Sequence, residues 1–216
     1  MCFKSSQCGV CSQAPGPDCQ GCRRQTSSSS LLAWLSNSTE VGKLILQAST
    51  GNLKRVSLEL GGKSPNVIFA DADLEKAVAS SALGFAMLSG QICWASTRVF
   101  VQRHFHDRFV DQLARYVSTI KTGDPLDAST MVGPLVSRAQ LNRVKGYFDV
   151  GKQEGAKPVL GGETRSGKGF YIDPTIFTEV RNTMRIAREE IFGPVASCGS
   201  SECDCVLKNE HREKTA

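Results

Sequence analysis

An α/β fold with a mostly parallel sheet covered by helices is what this amino-acid sequence predicts, on three observations. Strand-like and helix-like hydrophobic patterns alternate from Ser38 to Val195. The strand candidates are short, apolar and bounded by Gly, Pro, Asp or Asn, and the helical stretches between them are long enough to cross a sheet. With 216 residues, 40% of them hydrophobic, the chain can bury one sizeable core.

The elements follow in order. Ser38, Thr39 and Glu40 precede an apolar series at Val41, Leu44, Ile45 and Ala48, which is N-cap chemistry followed by helical spacing. Residues 55–60 alternate at period two and stop at Gly61 and Gly62, a strand running into a tight turn. Asn66 to Phe69 is a short buried strand, after which Asp71, Ala72 and Asp73 open a helix with apolar positions Leu74, Ala77, Val78, Ala82 and Phe85. Val99 to Val101 is the next strand, and the helix after it presents Phe105, Phe109, Val110, Leu113, Ala114, Val117 and Ile120 on one face. A further helix from about Ser137 to Glu154 turns Leu141, Val144, Tyr147 and Phe148 inward, and strands are expected near 158–160, 171–172 and 175–177. Past Val195 the pattern is lost.

Composition excludes several classes of function. The 26 basic and 21 acidic residues are scattered and leave a mild +5, so nucleic acid is not an expected partner. No apolar run approaches the roughly 18 residues a spanning helix requires, so no membrane partner is expected, and the N-terminus lacks the apolar core of a secretory signal. A cytoplasmic location is the expectation. Of nine cysteines, Cys2, Cys8, Cys11, Cys19 and Cys22 crowd the first two dozen residues, Cys198, Cys203 and Cys205 crowd the end, and Cys93 stands in patterned sequence. An odd number in such a chain argues against a disulfide framework.

Three segments carry side chains suited to chemistry. In Leu58-Glu59-Leu60-Gly61-Gly62-Lys63-Ser64-Pro65 a carboxylate lies between apolar residues at a strand end. Partial burial would raise its pKa toward that of a usable base, and the glycines allow a ligand close to the backbone. An exposed edge carboxylate before a turn is the alternative. In Ser89-Gly90-Gln91-Ile92-Cys93-Trp94 a thiol sits on the connection between a helix and a strand, where a ligand can reach it; a buried structural cysteine is the alternative. In Glu189-Glu190-Ile191-Phe192-Gly193-Pro194 two acids and an aromatic precede a Gly-Pro turn, able to grip a ribose and cover a ring, or simply to turn.

Taken jointly, in this order and at this spacing, the three segments closely resemble the aldehyde dehydrogenase superfamily. Leu58 to Pro65 is similar to its glutamate signature, Gly90-Gln91-Ile92-Cys93 to its nucleophile signature and Glu189 to Pro194 to its cofactor motif; Lys63 to Leu74 and Tyr171 to Thr175 also resemble it. The resemblance implies oxidation of a small-molecule aldehyde to a carboxylic acid with NAD or NADP as cofactor. Cys93 would form a thiohemiacetal and then a thioester, and Glu59 would be the general base. It also implies cofactor binding by Ser38, Gly42, Leu60, Gly61, Glu190 and Phe192, with no metal.

The implied organisation is a Cys- and Ser-rich, disordered leader at 1–37, a remnant of the dinucleotide-binding domain at 38–62, the catalytic domain at 63–195 and a divergent tail at 196–216. Asn37 stands where the family has a glycine, and Trp94 is bulky where it has a small residue. The family's chain is more than twice as long, so a product truncated at both ends is expected, without the segment through which family members form homo-oligomers. An inactive fragment is one alternative. Another is a zinc-binding interaction module built on the two C-x-x-C pairs Cys8/Cys11 and Cys19/Cys22. Of the three histidines, His104, His106 and His211, the first two flank Phe105 at the start of a polar-faced helix, and a solvated helix start explains them.

Overall fold

In a computed structural model of the chain, residues 33–37, 39–52, 55–165 and 167–201 are described. They fall into two compact units that divide after Gly61.

The first unit contains a β-α-β arrangement. Strand β1 (Ala33–Asn37) pairs in parallel with β2 (Val56–Leu60), in a register that sets Asn37 opposite Leu60, and helix α1 (Thr39–Ser49) joins them. Helix and strand approach closely at Gly42, where an added Cβ would lie 2.8 Å from a Leu60 methyl. The apolar face expected for α1 is covered only in part: Val41 and Ile45 are partly buried beside the buried Gly42, while Leu44 and Ala48 are exposed. Two strands bury one narrow strip of a helix and leave the rest in solvent.

The second unit holds a five-stranded sheet in the order β3-β4-β7-β6-β5. Its strands are β3 (Pro65–Ile68), β4 (Arg98–Gln102), β5 (Lys157–Leu160), β6 (Thr175–Thr178) and β7 (Val195–Ser201). All neighbours run parallel except β5 and β6, which are antiparallel with a register irregularity between Pro158 and Leu160. The helices are α2 (Leu74–Ala86), capped by the Asp73 carboxylate accepting from the Lys76 amide; α3 (His106–Ser118); α4 (Arg138–Gln153), capped by Ser137; and the single turn α5 (Arg185–Arg188). Such side-chain caps satisfy amide donors that a helix leaves unpaired at its start.

Period-two alternation divides the apolar residues between two cores. Ile68, Val99, Val101, Ile176, Ala196 and Cys198 pack with Val78, Ala82 and Phe85 of α2 and Phe109, Leu113 and Val117 of α3. Phe177 and Val195 pack with Leu141, Val144 and Phe148 of α4 and Ile186 of α5. Ile176 and Phe177 are neighbours that serve opposite cores, so the sheet is covered on both sides, as expected.

Two local expectations are corrected. Tyr171 and Ile172 form no strand; Ile172 makes only an isolated bridge with Thr164. The stretch after Val195 does not lose its structure at once, because β7 runs on to Ser201 between β4 and β6. Ala196, Ser197 and Cys198 are all buried there, and a central strand buried on both faces has no polar-apolar alternation to display. Cys198 is therefore a core residue.

Candidate active site

The connection from α2 to β4 is built from backbone that few side chains tolerate. Leu88, Ser89 and Gly90 have φ of 50°, 58° and 66°, three successive left-handed residues, two of them with a Cβ. Such strain persists only where surrounding bonds hold it. The Ser89 hydroxyl donates to the Gly133 carbonyl at 2.9 Å, and the Gln91 side-chain oxygen accepts from the Val136 amide at 2.9 Å. Past the turn, the Ala95 amide donates to Ile92 O at 3.1 Å and Ser96 N to Gly84 O at 2.9 Å. Cys93 and Trp94 occupy the turn between these anchors, and both are exposed.

The segment Glu190 to Pro194 is drawn against that connection. A Cβ on Gly90 would lie 2.1 Å from the Gly193 carbonyl oxygen, so that position admits glycine alone, and one on Gly193 would lie 2.7 Å from a Val144 methyl, which would have to shift. Helix α4 holds the segment from its other side. Gln140 Nε2 donates to the carbonyls of Ile191 at 3.0 Å and Phe192 at 2.8 Å, and Arg143 Nη2 to that of Glu190 at 2.7 Å. Phe192 itself is left-handed, with φ of 59°. Glu189 is tied away by Arg185 and, more weakly, Tyr147, whose bonds hold its carboxyl below the usual range.

Glu190 is different. Its Oε1 is buried and has no hydrogen-bond partner among the described residues, and the same is true of Lys63 Nζ and Arg98 Nε. Lys63 as a residue is partly exposed, but its amine is buried, and that burial pushes its pKa down to about 7, with the Arg98 charge adding to the effect and Glu190 opposing it. Lys63 follows Gly62, where an added Cβ would lie 3.9 Å from the Cys93 carbonyl oxygen. Cys93, Lys63, Arg98 and Glu190 thus belong to one region of the second unit.

The remaining expected residues lie in the first unit or outside the described residues. Glu59, the penultimate residue of β2, is exposed, so the partial burial expected from its apolar neighbours is corrected: along a strand Leu58 and Leu60 point to the face opposite Glu59 and cannot desolvate it. Gly42 is buried against Leu60, and Gly61 is exposed where the first unit ends. Ser38 lies outside the described residues, as do Cys8, Cys11, Cys19 and Cys22. Among the described residues no three His, Cys, Asp or Glu side chains cluster to hold a metal, and no helix is long and apolar enough to cross a membrane.

Sequence reasoning missed Lys63, Gln140 and Arg143. Lys63 stood inside a quoted motif, and a lone cation beside apolar strand residues was its only signal. Gln140 and Arg143 are three apart on α4 and share a face, but nothing in their spacing tells which loop that face meets.

Fold and site define an α/β protein with a candidate cysteine nucleophile on the loop that enters a mostly parallel sheet. The chain belongs to the aldehyde dehydrogenase family, whose sequence profile matches residues 32–202. It is 48% identical over 167 residues to a betaine aldehyde dehydrogenase of Mesorhizobium japonicum, a match covering 76% of this chain and 34% of that protein. It is 50% identical over 159 residues to aldehyde dehydrogenase 1 of Tanacetum cinerariifolium, covering 73% and 32%. Among solved structures, a variant aldehyde dehydrogenase from Bacillus cereus superposes with a TM-score of 0.78 at 42% identity, over 81% of this chain and 36% of that one. A betaine aldehyde dehydrogenase from Staphylococcus aureus in complex with NAD+ superposes with 0.77 at 38%, over 80% and 35%. The chain spans about a third of the length of the relatives it matches.

Proposed function

We propose that this chain takes part in oxidising an aldehyde to a carboxylic acid with NAD or NADP, with Cys93 as nucleophile and Glu59 as general base. The observation that carries this reading is the exposed Cys93 on a turn braced by Gly133, Val136 and Gly84 and packed, through Gly90, against the Glu190 segment. A rigid loop with an open thiol is what attack on a carbonyl requires.

The residues present fit a nucleotide. Glu190 Oε1 is a buried acceptor with no donor, and a ribose hydroxyl is a donor of the right kind. Glu190 would hold the nicotinamide-side ribose and Phe192 would pack beside the ring, while Ser38, Gly42, Leu60 and Gly61 would serve the rest of the cofactor.

The Cys93 thiolate adds to the aldehyde carbon and gives a thiohemiacetal, whose alkoxide is steadied by backbone N–H groups of the turn. A nicotinamide held by Glu190 and Phe192 would supply the acceptor for the hydride that the thiohemiacetal carbon loses in becoming the thioester carbon on Cys93. Glu59 then takes a proton from water as it attacks the thioester carbon; the acid departs and the thiolate returns.

The test is fluorescence titration of the purified chain with NAD and NADP, beside NADH production from acetaldehyde and from betaine aldehyde by the native sequence and Cys93→Ala. Saturable binding with turnover that Cys93→Ala abolishes is expected. Folded protein that neither binds nor turns over would overturn the activity and leave family membership untouched.

A further inference from the structure

Cys93 and Trp94 are the two central residues of one turn. The Ala95 amide donates to Ile92 O at 3.1 Å, which closes four residues into a β-turn, and neither central residue has a positive φ. Ser96 N, bonded to Gly84 O at 2.9 Å, fixes the turn to the last turn of α2.

On either side of these two residues the chain is covered: Gly90, Ala95 and Thr97 are buried. Trp94 is 58% exposed, and among the described residues its indole makes no hydrogen bond, ring contact or cation-π contact. Single apolar side chains scattered over a surface are normal and call for no account. This one differs in its neighbour. Consecutive Cα atoms are about 3.8 Å apart, and both side chains leave the turn toward solvent. The indole is longer than that separation, so a group bonded to the Cys93 sulfur has the ring beside it, on backbone held at both ends.

A ring fixed there can select a substrate by its flat apolar face, or by the negative charge of that face toward a cation. Of the ionisable groups in the same region, Lys63 and Arg98 are basic and Glu190 acidic, which leaves no surplus negative charge to draw in a cation. Flatness is the property that remains. An aryl ring on the aldehyde carbon can meet the indole at the roughly 4.5–7 Å between centroids at which aromatic rings attract, whereas the methyl group of acetaldehyde offers no face to stack.

We propose that Trp94 is a specificity-determining residue, its indole stacking on the flat substituent of an aldehyde held at Cys93, so that aryl aldehydes are taken in preference to acetaldehyde. This rests on the reading of Cys93 as the nucleophile and adds to it the class of substrate. Trp94 moves no proton and forms no bond; it chooses among the groups that reach the sulfur.

The experiment measures how fast Cys93 is modified by three methanethiosulfonates, carrying methyl, benzyl and 2-(trimethylammonio)ethyl groups, in the native chain, Trp94→Ser and Trp94→Phe. In each reaction the thiolate bonds to the sulfenyl sulfur and methanesulfinate leaves. Peptide mass spectrometry reads Cys93 apart from the other cysteines, and circular dichroism checks that each protein is folded. An aromatic pair contributes enough for a preference of roughly threefold to tenfold. The benzyl-to-methyl rate ratio should fall by that factor in Trp94→Ser and be kept by Trp94→Phe, and in turnover the kcat/KM of benzaldehyde relative to acetaldehyde should follow it. An unchanged ratio in Trp94→Ser, including an equal loss for both reagents, would overturn the inference with the nucleophile reading intact. A loss confined to the trimethylammonium reagent would make the indole a cation site and overturn it too. A folded native chain whose Cys93 resists all three reagents would overturn the nucleophile reading itself.

Discussion

Gly90 and Gly193 touch backbone to backbone: a Cβ on the first would lie 2.1 Å from the carbonyl oxygen of the second. This contact joins the loop bearing Cys93 to the loop bearing Glu190. Gly90→Ala is expected to lower stability by about 2–4 kcal/mol, adding a clash that backbone must move to relieve to the cost of φ 66° for a residue with a Cβ. Urea unfolding measures the loss. The alkylation rate of Cys93 should also change, since the turn cannot keep its place; a variant with native midpoint and native rate would show that the contact carries no weight.

The two described cysteines should behave as opposites. Cys93 is exposed, whereas Cys198 is fully buried in β7, and burial pushes its thiol up to about 12. Thiolate is the species that reacts with iodoacetamide. Brief labelling at pH 8 followed by peptide mass spectrometry should modify Cys93 and spare Cys198 until the chain is unfolded. Early modification of Cys198 would mean that the β4-β7-β6 region opens readily.

How much of this was legible depends on what each residue packs against. The faces of α3 and α4 were readable because a helix lying on a sheet buries one stripe and shows the other, which writes a 3.6-residue period into the sequence. Strand β7 was not, because a central strand of small residues has no exposed face to mark with polar side chains. The exposed face of α1 could not be foreseen either: its apolar spacing states what the helix is able to cover, not what lies over it. At the candidate site, Cys93 and Glu190 stand out through their motifs, while the isolation of the Lys63 amine depends on three segments meeting, Lys63 itself, Arg98 on β4 and Glu190 after α5.

Lys63 should make stability depend on pH in a definite direction. Burial, helped by Arg98 and opposed by Glu190, lowers its pKa from 10.5 to about 7. Between those values the unfolded chain keeps a proton that the folded chain has released, so the folded state gains as pH rises across the window. The slope is at most about 1.4 kcal/mol per pH unit for one proton. Urea midpoints taken from pH 7.5 to 9.5 should therefore rise less steeply for Lys63→Met than for the native sequence. Equal slopes would place the titration of Lys63 elsewhere.

Gln140 is the residue whose removal should separate loop order from global stability. Its amide donates to two successive carbonyls, Ile191 at 3.0 Å and Phe192 at 2.8 Å, and holds Phe192 at a φ of 59° that a phenylalanine does not adopt unaided. A neutral hydrogen bond contributes roughly 0.5–1.5 kcal/mol net, so Gln140→Ala should cost about 1–3 kcal/mol. The more telling effect is local. With both carbonyls released, the strained residue can relax, and amide exchange should quicken around 190–195 before it does in β4 or α3. If Phe192 covers a nicotinamide ring, NAD affinity should fall more than the loss of stability accounts for. Exchange that quickens uniformly across the unit would show instead that Gln140 braces the whole second core, through the same α4 face that carries Val144 and Phe148.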